Sequence, residues 1–321
     1  MKILLIGPVP PPHGGISVHV LAAARRLQSE GAEAVVLDPS RYARRSGFLR
    51  DLWRQAPGAG AMHLHTNGHN PKSWLLALLS AIAAWRVAGP RTLTLHSGMA
   101  PGFLRVSAGH RWLARCACRL YDRIDCVNPA IRRSIVALGV PPAKTAIAPA
   151  HSVDAWRNVA LEASLDGWMG AHRPLLSATL FFRPEYGFNV LLDAVARLGQ
   201  EWPSLGCVVM GSGEQKEEAL RQIRLANLED RIKLMGDVEH DLCMTLIARS
   251  DIFARPTFED GDSISVREAL SLGVRVVASR AGARPQGVVL FEPGDAGGLA
   301  SAIEAVLAES FCGPAAGNKH V

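Results

Sequence analysis

Hydrophobic residues in this chain come in short runs, separated by longer stretches in which apolar positions recur at helical spacing. Runs at Ile3–Gly7, Ala34–Leu37, Met62–His65, Thr92–His96, Ile124–Val127 and Thr145–Ala148 predict strands. Between them, Ser17–Ser29, Lys72–Trp85, Arg111–Tyr121 and Ala130–Leu138 predict helices. The rhythm then repeats, with strands expected at Leu175–Leu180, Gly206–Met210, Ile232–Met235, Asp251–Ala254, Val274–Ala278 and Val288–Phe291. Short apolar strands alternating with helices specify parallel sheets covered on both faces. The expected fold is therefore α/β, with two doubly wound domains facing across a cleft and joined near Pro149–Pro174. In numbers, residues 1–153 form the first domain, 154–307 the second and 308–321 a tail. Ligands of such sheets bind beyond the carboxyl ends of the strands, so the loops after strands carry the chemistry.

Composition agrees with a folded chain of this size. With 321 residues, 48% hydrophobic and 20% charged, the protein is neither disordered nor collagen-like. The longest apolar run, Trp74 to Trp85, is well short of the roughly 20 residues of a membrane span, so a buried helix is expected there. The opening MKILLIGPVPPP is stopped by Pro8 too early for a signal peptide and reads as a first buried strand. Cys116, Cys118, Cys126, Cys207, Cys243 and Cys312 are scattered without metal-ligand or disulfide-framework spacing, and a reducing, cytoplasmic location is expected.

The net charge of +6 conceals two different halves. Residues 1–150 hold 19 Lys+Arg against 6 Asp+Glu, whereas residues 151–321 hold 16 against 23. A basic half suits nucleic acid, an anionic membrane surface or a phosphorylated substrate. In RWLARCACRLYDR, Trp112, Leu113, Leu120 and Tyr121 are interleaved with arginines, a pattern that fits peripheral contact with anionic lipid at the inner face of the membrane. No nucleic-acid recognition motif is present and only three Tyr are available for stacking, so no nucleic-acid partner is expected.

Two segments carry candidate chemistry. The first strand runs into GPVPPPHGG, which lacks the G-x-G-x-x-G of nicotinamide enzymes but ends in Gly14 and Gly15 at a helix start. Paired glycines there let backbone amides approach an anion that the helix dipole also favours. The second segment is ARPTFEDGDSISVREALSLG, Ala254 to Gly273. A strand ends at Ala254, a polar loop follows, and a helix is expected from near Ser263 to a stop at Gly273. Asp262 or Ser263 can cap it, leaving amides around Ser263, Ile264 and Ser265 for an anion. Asp260 and Glu268, with seven residues between them, can accept hydrogen bonds from sugar hydroxyls. The ordinary alternative is capping by the aspartates and pairing of Glu268 with Arg267 or Arg275.

Taken in order, the opening strand with its Gly-Gly loop, His96 in LTLHSG, the segment DRIDCVNPAIRRSIVALGVPPAKTAIAPAHSVD, GSGEQ at Gly211–Gln215 and PTFEDGDSISVREALSLGVRVVAS resemble retaining nucleotide-sugar glycosyltransferases of the GT-B fold, glycosyltransferase family 4. The likeness runs from about Met1 to Leu307 and implies two Rossmann-like domains. It implies a glycosyltransferase moving a sugar from a nucleoside diphosphate sugar to an acceptor hydroxyl with retention, in surface polysaccharide or glycolipid synthesis. The acceptor would be a glycan or a lipid-linked molecule, and neither a cofactor nor a metal is implied. The resemblance puts His96, Asp260 and Glu268 in catalytic roles: His96 reaches the donor sugar, Asp260 and the amides of Gly261, Asp262, Ser263, Ile264 and Ser265 hold it, and Glu268 binds the ribose. Gly14 and Gly15 would lie against the donor diphosphate and acceptor, with Gly211 also on the donor side. His63, His65 and His69 sit in a comparable segment that could face the acceptor, and no metal cluster is expected, because carboxylates and histidines lie in separate halves.

The chain departs from the family pattern at three points. Tyr186 stands where a diphosphate-clamping Lys should precede Gly187, with Arg183 as a displaced substitute; Asp260 replaces the usual Glu; and the sequence stops at FCGPAAGNKHV where relatives continue with further helices. The missing Lys and the short C-terminus keep open a non-catalytic glycosyltransferase-like partner subunit, and a GT-B nucleotide-sugar epimerase, which needs no acceptor, is a second alternative.

Overall fold

The computed structural model describes residues 1–149 and 156–312, the side chains of 310–312 excepted. The expected domain junction at 153/154 and residues 313–321 of the expected tail lie outside the described residues. Two compact units result. The first runs from Met1 through the last strand of its sheet and also takes in Glu259–Ser265 and Ala281–Ala283, while the second begins at Trp156.

In the first unit, β1 (Lys2–Ile6), β2 (Glu33–Leu37), β3 (Ala59–Thr66), β4 (Arg91–Leu95), β5 (Arg123–Cys126) and β6 (Thr145–Ile147) form one sheet in the order β2-β1-β3-β4-β5-β6. All pairs are parallel. Helices α1 (Gly15–Ser29), α2 (Arg45–Gln55), α3 (Pro71–Ala83), α4 (Ala100–Val106), α5 (Ala108–Arg119) and α6 (Pro129–Ala137) connect them. The core includes Leu4, Ile6, Met62, Leu64, Leu93 and Leu95 from the strands, sealed by Trp74, Tyr121 and Phe48. Trp74 donates its indole N–H to the Gly68 carbonyl and Tyr121 its hydroxyl to the Ala77 carbonyl, so both large rings are buried with their polar atoms satisfied.

The second unit holds α7 (Ala163–Ala171), β7 (Leu175–Thr179), α8 (Phe188–Glu201), β8 (Gly206–Met210), α9 (Lys216–Leu225), β9 (Ile232–Gly236), α10 (His240–Ala248), β10 (Ile252–Arg255), all of α11 (Ile264–Ser271) but its first two residues, β11 (Arg275–Ser279), β12 (Val288–Phe291) and α12 (Ala296–Cys312). Its parallel sheet has the order β12-β11-β10-β7-β8-β9. Two apolar clusters cover its two faces, one around Leu191, Val195 and Ile303, the other around Phe253, Val266 and Leu246.

Each sheet has one point where strand order reverses, between β1 and β3 in the first and between β7 and β10 in the second. Those are the places where loops on either side diverge and leave a crevice at the carboxyl ends. Every strand expected from the sequence is present, with ends shifted by at most three residues. Three helical stretches depart from expectation. Helix α2 is built on Phe48 and Leu52, one turn apart and buried within an arginine-rich surface. Helix α4 precedes α5, with Ser107 capping α5 by accepting from the His110 amide at 3.1 Å. Helix α12 continues to Cys312, past the expected boundary at 307.

The interleaved apolar residues of Arg111 to Arg123 are divided by the fold. Tyr121 is fully buried and Leu113 and Leu120 pack against the core, which leaves Trp112 exposed among the arginines. No helix among the described residues is long and apolar enough to cross a membrane. The five described cysteines are free, and burial pushes the Cys126 and Cys207 thiols up to about 12.

Candidate functional site

At the reversal point of the first sheet, α1 starts immediately after the proline-rich turn. Gly14 is extended and precedes the helix; its amide donates to Ser17 Oγ at 2.9 Å, while that hydroxyl donates back toward the Pro12 carbonyl at 2.8 Å. A side chain at Gly15 would meet nothing within 4 Å, so the first turn of α1 is open to a bound group. Val18 of α1 forms a small buried cluster with Ile264, the first residue of α11. Two helix N-termini therefore lie in one neighbourhood of the first unit, a favourable environment for an anion.

The loop between β10 and α11 is held in that unit by backbone contact. Asn128 caps α6 by accepting from the Ile131 amide at 2.9 Å, and its Nδ2 donates to the Gly261 carbonyl at 3.0 Å. A Cβ on Gly261 would strike the His96 carbonyl oxygen, so this close approach requires glycine. Asp260 Oδ1 accepts from the Gly261 amide at 3.0 Å, and Ser263 and Ser265 share a hydroxyl hydrogen bond of 3.1 Å. Asp262 and Ser263 are buried.

Histidines fill the space beside α1. His63 and His65 lie within β3 rather than in the loop after it, and only His69 of that group is in the loop, bonded to Ser97 Oγ at 2.8 Å. His65 Nδ1 and His96 Nε2 are 3.1 Å apart, and the His19 ring lies 5.0 Å from each of their centroids. Burial first, then neighbouring imidazoles, hold His65 and His96 well below the ordinary histidine range, so both are neutral at pH 7. The expectation of no metal-ligating cluster compared the two halves of the chain; three histidines of one half, widely spaced in sequence, are brought together by three adjacent elements.

The reversal point of the second sheet assembles different groups. After β7, Arg183 lies 3.4 Å from Glu214 in an exposed pair, and the loop is tied to Gly211–Gln215 by Phe182 N–H to Ser212 carbonyl at 2.9 Å. Gly187 takes a left-handed φ of 71° against the Pro256 carbonyl, where a Cβ would not fit. Beside it, Arg255 ends β10 as a buried cation. Its Nη1 donates to the Thr179 carbonyl at 2.6 Å and its guanidinium lies 5.3 Å from the Tyr186 ring centroid. Arg284 donates to the Ser279 carbonyl at 2.9 Å and to Thr257 Oγ1 at 3.2 Å. Sequence reasoning missed both arginines; for Arg255 the available signal was its place at the end of an otherwise apolar strand, a costly place for a charge.

Glu268 lies one turn into α11 and is buried, with Oε1 bonded to His240 Nε2 at 2.7 Å. Arg275, considered from sequence as a partner of Glu268, donates through Nη1 to the Val306 carbonyl. Of the expected donor-side residues, Gly14, Gly15, His96, Asp260, Gly261, Asp262, Ser263, Ile264 and Ser265 belong to the first unit, and Arg183, Gly211 and Glu268 to the second.

Residues 173–309 match the family model described as Glycosyl transferases group 1. The phosphatidylinositol N-acetylglucosaminyltransferase gpi3 subunit of Schizosaccharomyces pombe is 24% identical over 118 residues, 36% of this chain and 26% of that protein. The chain thus spans about a quarter of the length of this curated relative. The phosphatidyl-myo-inositol mannosyltransferase of Mycolicibacterium smegmatis is 24% identical over 294 residues, covering 83% of this chain and 72% of that protein. Among solved structures, Anabaena HepE in complex with UDP-glucose is similar with a TM-score of 0.73 and 19% identity, over 97% of this chain and 91% of that one. The two six-stranded parallel sheets with their helices have the GT-B glycosyltransferase fold.

Proposed function

We propose that the protein is a glycosyltransferase that transfers a sugar from a nucleoside diphosphate sugar to an acceptor hydroxyl, with retention at the anomeric carbon and without a metal in the transfer step. The observation that carries this reading is the segment Asp260 to Glu268, lying inside the family match: a glycine-tethered loop, a helix N-terminus and a buried carboxylate in succession. Negative charge builds on the leaving diphosphate as its bond to the sugar breaks, and fixed amides and cations stabilise it. The amides of Ser263, Ile264 and Ser265 and that of Gly15 supply the first kind of donor, with Gly14 leaving room for close approach. Arg255 supplies the second, from the strand end next to Tyr186, and compensates for the Lys missing there; Arg183 adds an exposed charge.

Asp260 and His96 would contact the sugar, and Glu268, oriented by His240, the ribose hydroxyls. The inositol phospholipid names of the two curated relatives favour a polyol or lipid-linked acceptor in glycolipid or polysaccharide synthesis. The exposed Trp112 with Arg111 and Arg115, and exposed Val106 with Arg105, would contact an anionic membrane surface.

The test is thermal stabilisation by a panel of nucleoside diphosphates and their sugars, with and without magnesium, followed by transfer assays and product anomer assignment by NMR. One base should stabilise selectively; at about 100 times its dissociation constant the gain is roughly 2.7 kcal/mol. Glu268→Ala should abolish that selective stabilisation, and unchanged donor affinity in the variant overturns the ribose assignment. Stabilisation without turnover on any acceptor favours the non-catalytic reading, which Tyr186 in place of the clamp Lys supports.

A further inference from the structure

Three imidazoles on three elements converge beside α1: His19 from the second turn of that helix, His65 from the carboxyl end of β3, and His96 from the residue after β4. We propose that His19, His65 and His96 form a binding site for a divalent transition cation, zinc above all, which takes one ring nitrogen from each and keeps a fourth position open. One nitrogen of every ring lies within 4.8 Å of the others. His65 Nδ1 and His96 Nε2, at 3.1 Å, are already close to the about 3.4 Å that separates two nitrogens on one tetrahedral zinc with bonds of about 2.0–2.1 Å. Rotation about χ2, a broad torsion for histidine, draws in the third ring.

His65 Nε2 is buried and has no hydrogen-bond partner, although the ring is nearly inaccessible. His65 would ligate through Nδ1, the nitrogen that faces His96, which leaves Nε2 on the other side of the ring.

The chemistry of the donors selects the class of cation. The set contains imidazoles and no carboxylate, which suits zinc, cobalt, nickel or copper and disfavours magnesium and calcium, cations that require oxygen ligands. Neutral imidazole is the ligating form, and burial keeps His65 and His96 in that form at neutral pH. Three histidines also leave one coordination position for water or a substrate oxygen.

Occupancy has a functional consequence that rests on the sugar-contacting role proposed above for His96. A cation would take the His96 lone pair away from the sugar, so zinc would inhibit transfer rather than support it.

The experiment uses the full chain, stripped with a chelator, and measures zinc binding by calorimetry and cobalt binding by visible absorption. The expected result is one zinc per chain, a cobalt spectrum of the intense tetrahedral type, and no response to magnesium. His19→Gln and His65→Gln should each weaken binding by at least about 10-fold, in the range typical of lost metal-site contacts, while His172→Gln, in the second unit, should not. Circular dichroism separates loss of the site from loss of the fold, and the wild-type cobalt spectrum stands independently of any variant. Absence of stoichiometric binding, an octahedral cobalt spectrum, or unchanged binding in both variants overturns the proposal. Binding without inhibition of transfer overturns only the role of His96, and absence of transferase activity leaves the binding result intact.

Discussion

His65 and His96 show how burial turns a sequence feature into a pH-dependent one. Both are neutral in the folded protein, whereas in the unfolded chain they titrate near 6.5. The unfolded state therefore binds more protons below that pH, and stability falls as the pH is lowered through it, by up to about 1.4 kcal/mol per pH unit for each histidine. Thermal unfolding of metal-free protein between about pH 7 and about pH 5 should show this fall, and His65→Gln should flatten it. Arg255 is the residue-scale counterpart in the second unit. Arg255→Gln should lower kcat about 100-fold if its guanidinium stabilises the leaving diphosphate, with partial recovery in Arg255→Lys. A loss seen in thermal stability alone would assign it to the fold through Thr179 and Tyr186.

At the scale of elements, the site depends on how loops are tethered rather than on the helices and strands themselves. Asn128 serves two elements, capping α6 with its oxygen and holding the Gly261 carbonyl with its nitrogen. Asn128→Ala should cost about 1–3 kcal/mol through the lost cap and the unsatisfied carbonyl, measured by denaturant unfolding. Asn128→Ser keeps a capping oxygen and loses the tether, so it should recover most of the stability while donor affinity stays reduced. The strands were legible from sequence because parallel strands buried on both faces read as continuous apolar runs. Helix α2 was not, since only Phe48 and Leu52 mark its buried side within a run dominated by arginine.

At the scale of the whole molecule, two doubly wound sheets each present loops at the point where strand order reverses. Hydrogen exchange with the stabilising nucleoside diphosphate should slow at residues 180–187 and 256–265, the loops after β7 and β10, and leave α9 unchanged; protection confined to other regions would move the donor site. The pattern of apolar runs by itself determined the α/β class, the strand order along the chain and the positions of Gly14–Gly15 and Asp260–Glu268, because periodicity and turn chemistry are local properties of a sequence. Only tertiary structure decided that His19, His65 and His96 meet, that Glu268 pairs with His240, and that Arg255 stands beside Tyr186. Those residues are separated by 28 to 77 positions along the chain. Their meeting is set by sheet order and by the packing of helices on it, which no local spacing records.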